Sequence, residues 1–199
     1  MKPQKVIFAD RDGTINLDPG YISDKDQFKF IDGVTNFLNI FKSFGYRFII
    51  VTNQGGVAKR KFTQADSIEF SNHVVDQLLN HGIFVEEVFS CFHHPRGVVK
   101  NLSISCTCRK PGPGLFLMAE EKFKIDKTKS IILGNNLSDI QAGMVFGLKT
   151  GFLLHTGSVS SKILDYQSQL PKEQKLYIGT DYIDLANHAN IFLGDEKWK

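Results

Sequence analysis

Short, wholly apolar runs alternate along the chain with longer stretches whose apolar residues return every three or four positions. Val6-Ile7-Phe8-Ala9, Phe48-Ile49-Ile50-Val51, Val85 to Phe89, Ser130-Ile131-Ile132-Leu133 and Thr150-Gly151-Phe152-Leu153-Leu154 read as five buried strands. Between the first two, Val34, Phe37, Leu38, Phe41 and Phe44 share one face of a helix from Gly33 to Phe44, and Gly45 stands where a C-terminal cap belongs. Thr63 with Asp66 makes a capping box that starts a second helix, carrying Ile68, Val75, Leu78 and Leu79. Leu115, Met118 and Ala119 mark a third helix. Ser138 with Gln141 forms another capping box, opening a short helix that stops at Gly147. After Gly157 the pattern thins to a strand at Leu176-Tyr177-Ile178 and a helix from Asp181, while Ser90 to about Gly112 has no period at all.

Strands alternating with helices predict an α/β fold, a three-layer Rossmann-like parallel sheet with helices on both faces. No repeat, linker or low-complexity segment interrupts it, so the expectation is one domain over 1–199 with a loop insertion at about 91–108. Ligands of such sheets bind outside the carboxyl ends of the strands, and every polar motif below falls at one of those ends.

Composition narrows the classes. Hydrophobic residues at 42% and charged residues at 23% describe a folded chain. A net charge of +3 leaves no basic surplus for coating nucleic acid. No apolar run approaches the roughly 18 residues of a membrane span, and Met1 to Lys5 lead straight into the first strand, which predicts a cytoplasmic protein. With no heptad or long amphipathic helix, a monomer is expected. The 17 Phe are scattered, as in an aromatic core.

Asp10 and Asp12 directly follow the first strand, two carboxylates at spacing two on the same side of an extended segment, with Gly13 permitting a sharp turn behind them. Like charges so placed repel unless a cation or phosphate chemistry uses them. Alone, the pair also suits a solvated Asp-Gly turn. Thr52-Asn53-Gln54, ending the second strand, offers a hydroxyl and main-chain N–H groups suited to a phosphate oxygen, or simply a polar loop. Arg109-Lys110-Pro111 precedes the third helix and by itself reads as solvated surface.

All three cysteines fall in one window. Cys91-Phe92-His93 and Cys106-Thr107-Cys108 supply four soft or borderline ligands in two pairs, the donor set of a closed tetrahedral Zn²⁺ site. Four protein ligands leave no open position, so the zinc is expected to be structural, pinning the loop that delivers Arg109 and Lys110. His94 breaks the pairing and is left out.

The run Ile7 to Asn16 resembles the first motif of the haloacid-dehalogenase (HAD) superfamily of phosphotransferases. With Asp18-Pro19-Gly20-Tyr21, Thr52-Asn53-Gln54 and the Cys91 to Pro95 and Cys106 to Pro111 segments, it is similar to the branch holding the heptose bisphosphate and histidinol-phosphate phosphatases. The resemblance covers Val6 to Gly157 and implies a HAD-like fold without a large cap. It implies Asp10 as nucleophile, Asp12 as acid and then base, Thr52 as a phosphate binder and Lys110 as the neutralising cation. Asp18, Gly20, Tyr21, Asn53, Gln54, Gly55 and Arg109 would hold the substrate. Mg²⁺ would be bound by Asp10, the Asp12 main-chain carbonyl and Asn135, with Asp139 as a further candidate. The family places Asp where this chain has Asn135, in Gly134-Asn135-Asn136-Leu137-Ser138-Asp139; an amide oxygen still coordinates Mg²⁺, with one negative charge fewer. The implied reaction removes the 7-phosphate of D-glycero-D-manno-heptose 1,7-bisphosphate, in lipopolysaccharide precursor synthesis. Histidinol phosphate or another small phosphate ester is the alternative substrate, and a metal-impaired phosphosugar-binding protein the alternative outside enzymology.

Overall fold

The computed structural model describes residues 2–196. Six strands, β1 (Val6–Ala9), β2 (Arg47–Asn53), β3 (Val85–Cys91), β4 (Ile131–Gly134), β5 (Thr150–Leu154) and β6 (Lys175–Gly179), form one parallel sheet in the order β3-β2-β1-β4-β5-β6. Six helices connect or follow them: α1 (Val34–Ser43), α2 (Gln64–Asn80), α3 (Gly114–Lys122), α4 (Leu137–Phe146), α5 (Ser161–Ser168) and α6 (Tyr182–Glu196).

Parallel strands covered on both faces are apolar at every position. β1 and β4 are buried throughout, and their side chains alternate between two cores. Ile7, Ile50, Leu133 and Phe152 face a core shared with α1, α2 and α6. Phe8, Ile49, Ile132 and Leu153 face a core shared with α3, α4 and α5. Aromatic rings fill both: Phe37, Phe41, Phe152 and Tyr182 on the first side, Phe8, Phe116 and Phe146 on the second. That is where the scattered phenylalanines go. Among the described residues, no helix is long and apolar enough to cross a membrane.

The order of strands reverses at β1. From β1 the chain moves outward to β2 and β3, then returns through α3 to β4 on the other side of β1. Loops leaving the carboxyl ends of β1 and β4 therefore diverge and open a crevice. β1 and β4 are hydrogen-bond neighbours, Asp10 N–H donating to the Leu133 carbonyl at 2.9 Å, so the first residues past each strand meet at the crevice floor.

Four local expectations need correction. The N-cap of α4 is Asn136, in extended backbone; Asp139, three residues on, accepts the Asn136 N–H at 2.9 Å, so the box is built by this pair rather than by Ser138 and Gln141. Gly147 does end the helix, at φ 109°, a left-handed conformation that glycine adopts without penalty. The inward face of α2 is Ser67, Phe70, Ser71, Val74 and Leu78, whereas Ile68 and Leu79 point to solvent, as Met118 does on α3. β3 runs on through Cys91, which is buried on the strand rather than in the loop. Finally, α5 fills the interval where no helix is expected; it buries only Ile163, too little to make a period.

Candidate active site

A cavity of about 380 Å³ opens at the carboxyl ends of β1, β2 and β4. Its lining includes Asp10, Asp12, Thr52, Lys110 and Asp139, drawn from four separate segments of chain.

Asp10 and Lys110 form its floor. Lys110 Nζ donates to Asp10 Oδ1, Asp139 Oδ1 and the Val51 carbonyl, each at 2.7 Å, so all three ammonium hydrogens are committed. Both partners are nearly inaccessible, with side-chain exposures of 1% for Lys110 and 9% for Asp10. Burial pushes the Asp10 carboxyl up to about 7, against the opposing pull of Lys110, while Asp139 and Asp12 push the same way as burial. Burial acts to lower Lys110, yet the two carboxylates more than compensate and hold it above its ordinary value. Asp10 lines the cavity.

Asp12 sits in a ring of donors. Arg11 Nε reaches its Oδ1 at 2.9 Å and Arg11 Nη2 its Oδ2 at 2.8 Å, a two-pronged contact. Asn16 Nδ2 donates to Oδ1 at 3.1 Å and Gln54 Nε2 to Oδ2 at 2.7 Å. Gly13 then turns the chain at φ 77°, and a Cβ there would lie 2.3 Å from Asn135 Nδ2. Only glycine lets the β1 loop pass so close to the β4 loop.

The remaining expected residues divide by what their polar atoms do. Asp18 closes a turn on the Gly20 N–H at 2.8 Å, and Tyr21 Oη accepts from Lys59 Nζ at 2.6 Å; with Gly20 they form one wall. Arg109 covers Gly55, where a Cβ would come within 3.0 Å of Nη1, and donates to the His93 carbonyl at 3.3 Å. Asn53 and Gln54 line the cavity, but their amides are spent inside the protein. Asn53 bonds both main-chain groups of Lys110, and Gln54 spans Asp12, Thr52 and Ser67. Asp139 has one oxygen on Lys110 and the other on the α4 N-terminus, so it acts as a first-turn acid. His94, absent from the expected set, also lines the cavity, its Nδ1 accepting from the Arg96 N–H at 3.0 Å. Burial, then Arg109, Lys59 and Arg96, depress its pKa.

Asp10 and the Asp12 main-chain carbonyl offer oxygen ligands at the cavity, and the Asn135 amide oxygen stands nearby beside the Gly13 turn. That donor set fits a hard divalent cation such as Mg²⁺. Asn135 Oδ1 accepts from Thr14 Oγ1 at 3.3 Å and from Asn136 Nδ2 at 2.9 Å, which fixes it beside the Asp12–Gly13 turn. It is not among the residues lining the cavity of Asp10 and Asp12, and borders instead a second hollow of about 490 Å³ beyond that turn.

Cys91, His93, Cys106 and Cys108 converge behind the cavity, with their ligand atoms all within 4.8 Å of one another. Cys108 Sγ lies 3.1 Å from Cys91 Sγ, 3.3 Å from Cys106 Sγ and 3.3 Å from His93 Nδ1. Edges of about 3.8 Å are expected between thiolates around tetrahedral zinc with Zn–S near 2.3 Å; the three sulfurs lie 3.1, 3.3 and 3.6 Å apart. It could hold a metal ion. Gly112 and Gly114 allow the loop to fold onto Thr107 and Cys108, where a Cβ would clash with main-chain atoms at 2.2 Å and 2.7 Å.

Arg11, Ser67 and Ser71 are absent from the expected set; two serines on the inward face of α2 meet a buried arginine from the β1 loop.

Known proteins resemble the chain over nearly its whole length. The HAD-hydrolase-like family matches residues 107–178. D-glycero-beta-D-manno-heptose-1,7-bisphosphate 7-phosphatase from Escherichia coli O6:H1 is 36% identical over 186 residues, covering 87% of this chain and 98% of the relative. The Yersinia pestis protein of the same name is 35% identical, covering 85% and 95%. Among solved structures, a Mesorhizobium loti protein described as HAD-like superposes with TM-score 0.81 at 29% identity over 93% of this chain and 84% of that one. D,D-heptose 1,7-bisphosphate phosphatase from B. bronchiseptica, complexed with magnesium and phosphate, gives 0.74 at 24% identity over 94% and 98%, a likeness of fold.

Proposed function

The chain belongs to the D-glycero-beta-D-manno-heptose-1,7-bisphosphate 7-phosphatase family of HAD-like hydrolases, and we propose that it removes the 7-phosphate of that sugar bisphosphate through an aspartyl-phosphate. The observation that carries the mechanism is the placing of Asp10 at the cavity, with one oxygen held by Lys110 and Asp12 lining the same cavity.

In this reading the Asp10 carboxylate attacks phosphorus, forming an O–P bond as the bond from phosphorus to the sugar oxygen breaks. Asp12 gives its proton to that departing oxygen and then takes one from the water that hydrolyses the aspartyl-phosphate, releasing inorganic phosphate and restoring both carboxyl groups. Lys110 holds the Asp10 carboxylate in place, and its charge offsets negative charge on the transferring phosphoryl group. Thr52 contributes a hydroxyl at the end of β2. Asp18, Gly20, Tyr21, Gly55 and Arg109 form the wall against which the sugar and its second phosphate lie, while Asn53 and Gln54 position Lys110 and Asp12. Asp10, the Asp12 carbonyl and Asn135 would hold Mg²⁺, which supplies positive charge to the phosphoryl oxygens when bound. The cysteine–histidine cluster holds structural zinc, and the protein acts as a cytoplasmic monomer on a small phosphosugar.

Phosphate release from the 1,7-bisphosphate across a Mg²⁺ titration tests this. Saturable turnover yielding the 1-phosphate is expected. Preference for histidinol phosphate would overturn the substrate, and ligand binding without turnover would overturn the enzymology.

A further inference from the structure

Among the described residues, Arg11, which stands between Asp10 and Asp12 in sequence, has the largest fully buried side chain. A buried guanidinium is costly unless its donors are matched. Four of its five N–H groups are: two go to Asp12, one to Ser71 Oγ at 2.7 Å and one to the Ser67 carbonyl at 3.4 Å. Its plane packs 4.8 Å from the centre of the Phe70 ring. Ser71 Oγ in turn donates to the Ser67 carbonyl at 2.8 Å. The guanidinium thus joins the inner face of α2 to Asp12, the residue after Arg11 in sequence.

The donors around Asp12 number four, which fills the roughly four lone-pair positions of a carboxylate. For Asp12 to hand over or collect a proton at a substrate oxygen, one of those bonds must give way. The Arg11 bonds are charged, paired and anchored to a helix. The Gln54 bond is neutral and lies at the cavity, since Gln54 and Asp12 both line it. An exchange at Oδ2 therefore leaves the carboxyl pivoting on a fixed fork.

We propose that Arg11, braced by Ser71, is the positioning residue for Asp12: it fixes where the proton-transferring carboxyl stands while Gln54 yields its place to the substrate oxygen. This rests on reading Asp12 as the acid and base.

The test compares two substrates with the Mg²⁺-loaded protein. The sugar bisphosphate has an alkoxide leaving group that needs a proton, whereas p-nitrophenyl phosphate releases an anion stable enough to depart without one. Arg11→Ala is expected to lower kcat/KM for the sugar bisphosphate by about 100-fold, the cost of misplacing a catalytic group by about 1 Å. The loss on p-nitrophenyl phosphate should be much smaller, and added guanidinium ion should restore part of the sugar-phosphate activity. Arg11→Lys, which keeps charge without the fork, should not recover it. Should Arg11→Ala fail to fold, Ser71→Ala carries the same comparison with a smaller effect of the same pattern. Equal losses on both substrates, or wild-type rates on both, overturn the proposal. Asp12→Ala separates this from the underlying reading: sugar-phosphate turnover in that variant would sink the assignment of Asp12 itself, whereas an inactive Asp12→Ala beside normal Arg11 variants would sink only the role of Arg11.

Discussion

The side-chain amide of Asn53 closes on the main chain of Lys110 from both ends, accepting its N–H at 3.0 Å and donating to its carbonyl at 3.1 Å. The last residue of β2 thereby fixes a lysine that arrives from a long irregular loop. Asn53→Ala should release that clamp: kcat is expected to fall by about 10- to 100-fold with KM moving less, the range typical when a supporting polar partner is lost. Steady-state kinetics on the sugar bisphosphate checks it, and an unchanged kcat would remove Asn53 from any positioning role.

Asp10→Asn should abolish turnover and leave the fold standing. Lys110 keeps Asp139 and the Val51 carbonyl as partners, so no buried cation is stranded. A thermal melt close to that of the parent, with no phosphate released, is the expected pair of results.

Asn135→Asp adds a carboxylate to the residues proposed to hold Mg²⁺. Titration calorimetry should show Mg²⁺ binding tightened by about 10-fold or more, the lower end of what even an outer metal partner commands. If turnover appears only in this variant, the present chain is a disabled member of its family.

Cys108 is joined to Lys110 through one residue, so disturbing the cluster should reach the cavity. Elemental analysis is expected to find one zinc per chain, lost in Cys108→Ser. That variant should also fall about 100-fold in kcat, as expected for a displaced catalytic cation. Full activity without metal would show the cluster to be unconnected to catalysis.

The capping box of α2 gives a pH signature. Hydrogen bonds from the Thr63 main chain, then its side chain, hold Asp66 below the ordinary 3.8. A depressed carboxyl contributes stability above its unfolded value and loses it as pH falls through the folded one. Asp66→Asn should therefore lower the melting temperature at neutral pH, with the difference closing in strong acid. Thr63→Ala, which removes the cap, should cost about 1 kcal/mol.

The strands and the motifs that line the cavity were legible because the central strands are buried on both faces and read as unbroken apolar runs. Asp10, Asp12, Thr52 and Lys110 follow such runs or stand at a Lys-Pro junction, where local sequence announces them. The α2 register was not legible. Its inner face holds Ser67 and Ser71, which a hydrophobic period discards, and Ile68 and Leu79 take their place in the count while pointing to solvent. What makes those serines interior is Arg11, more than fifty residues away. Asn53 and Gln54 were read as facing substrate for the same reason. Their partners, Lys110 and Asp12, lie far along the chain, and only the folded arrangement shows the amides already occupied. At α4 the cap moved two residues because Asp139 answers both the helix N-terminus and a lysine from another segment.

The central place of β1 has a consequence for synthesis. Its side toward β2 can be covered early, but its other edge stays open until β4 emerges, after residues 10–130 have been made. Throughout that interval a wholly apolar strand presents unpaired main-chain groups, the condition that invites pairing with a foreign strand. Nor can the floor of the cavity be assembled sooner, since Asp139, which shares Lys110 with Asp10, lies beyond β4. A ribosome must therefore finish about two thirds of this chain before Asp10, made near its start, has its complete surroundings.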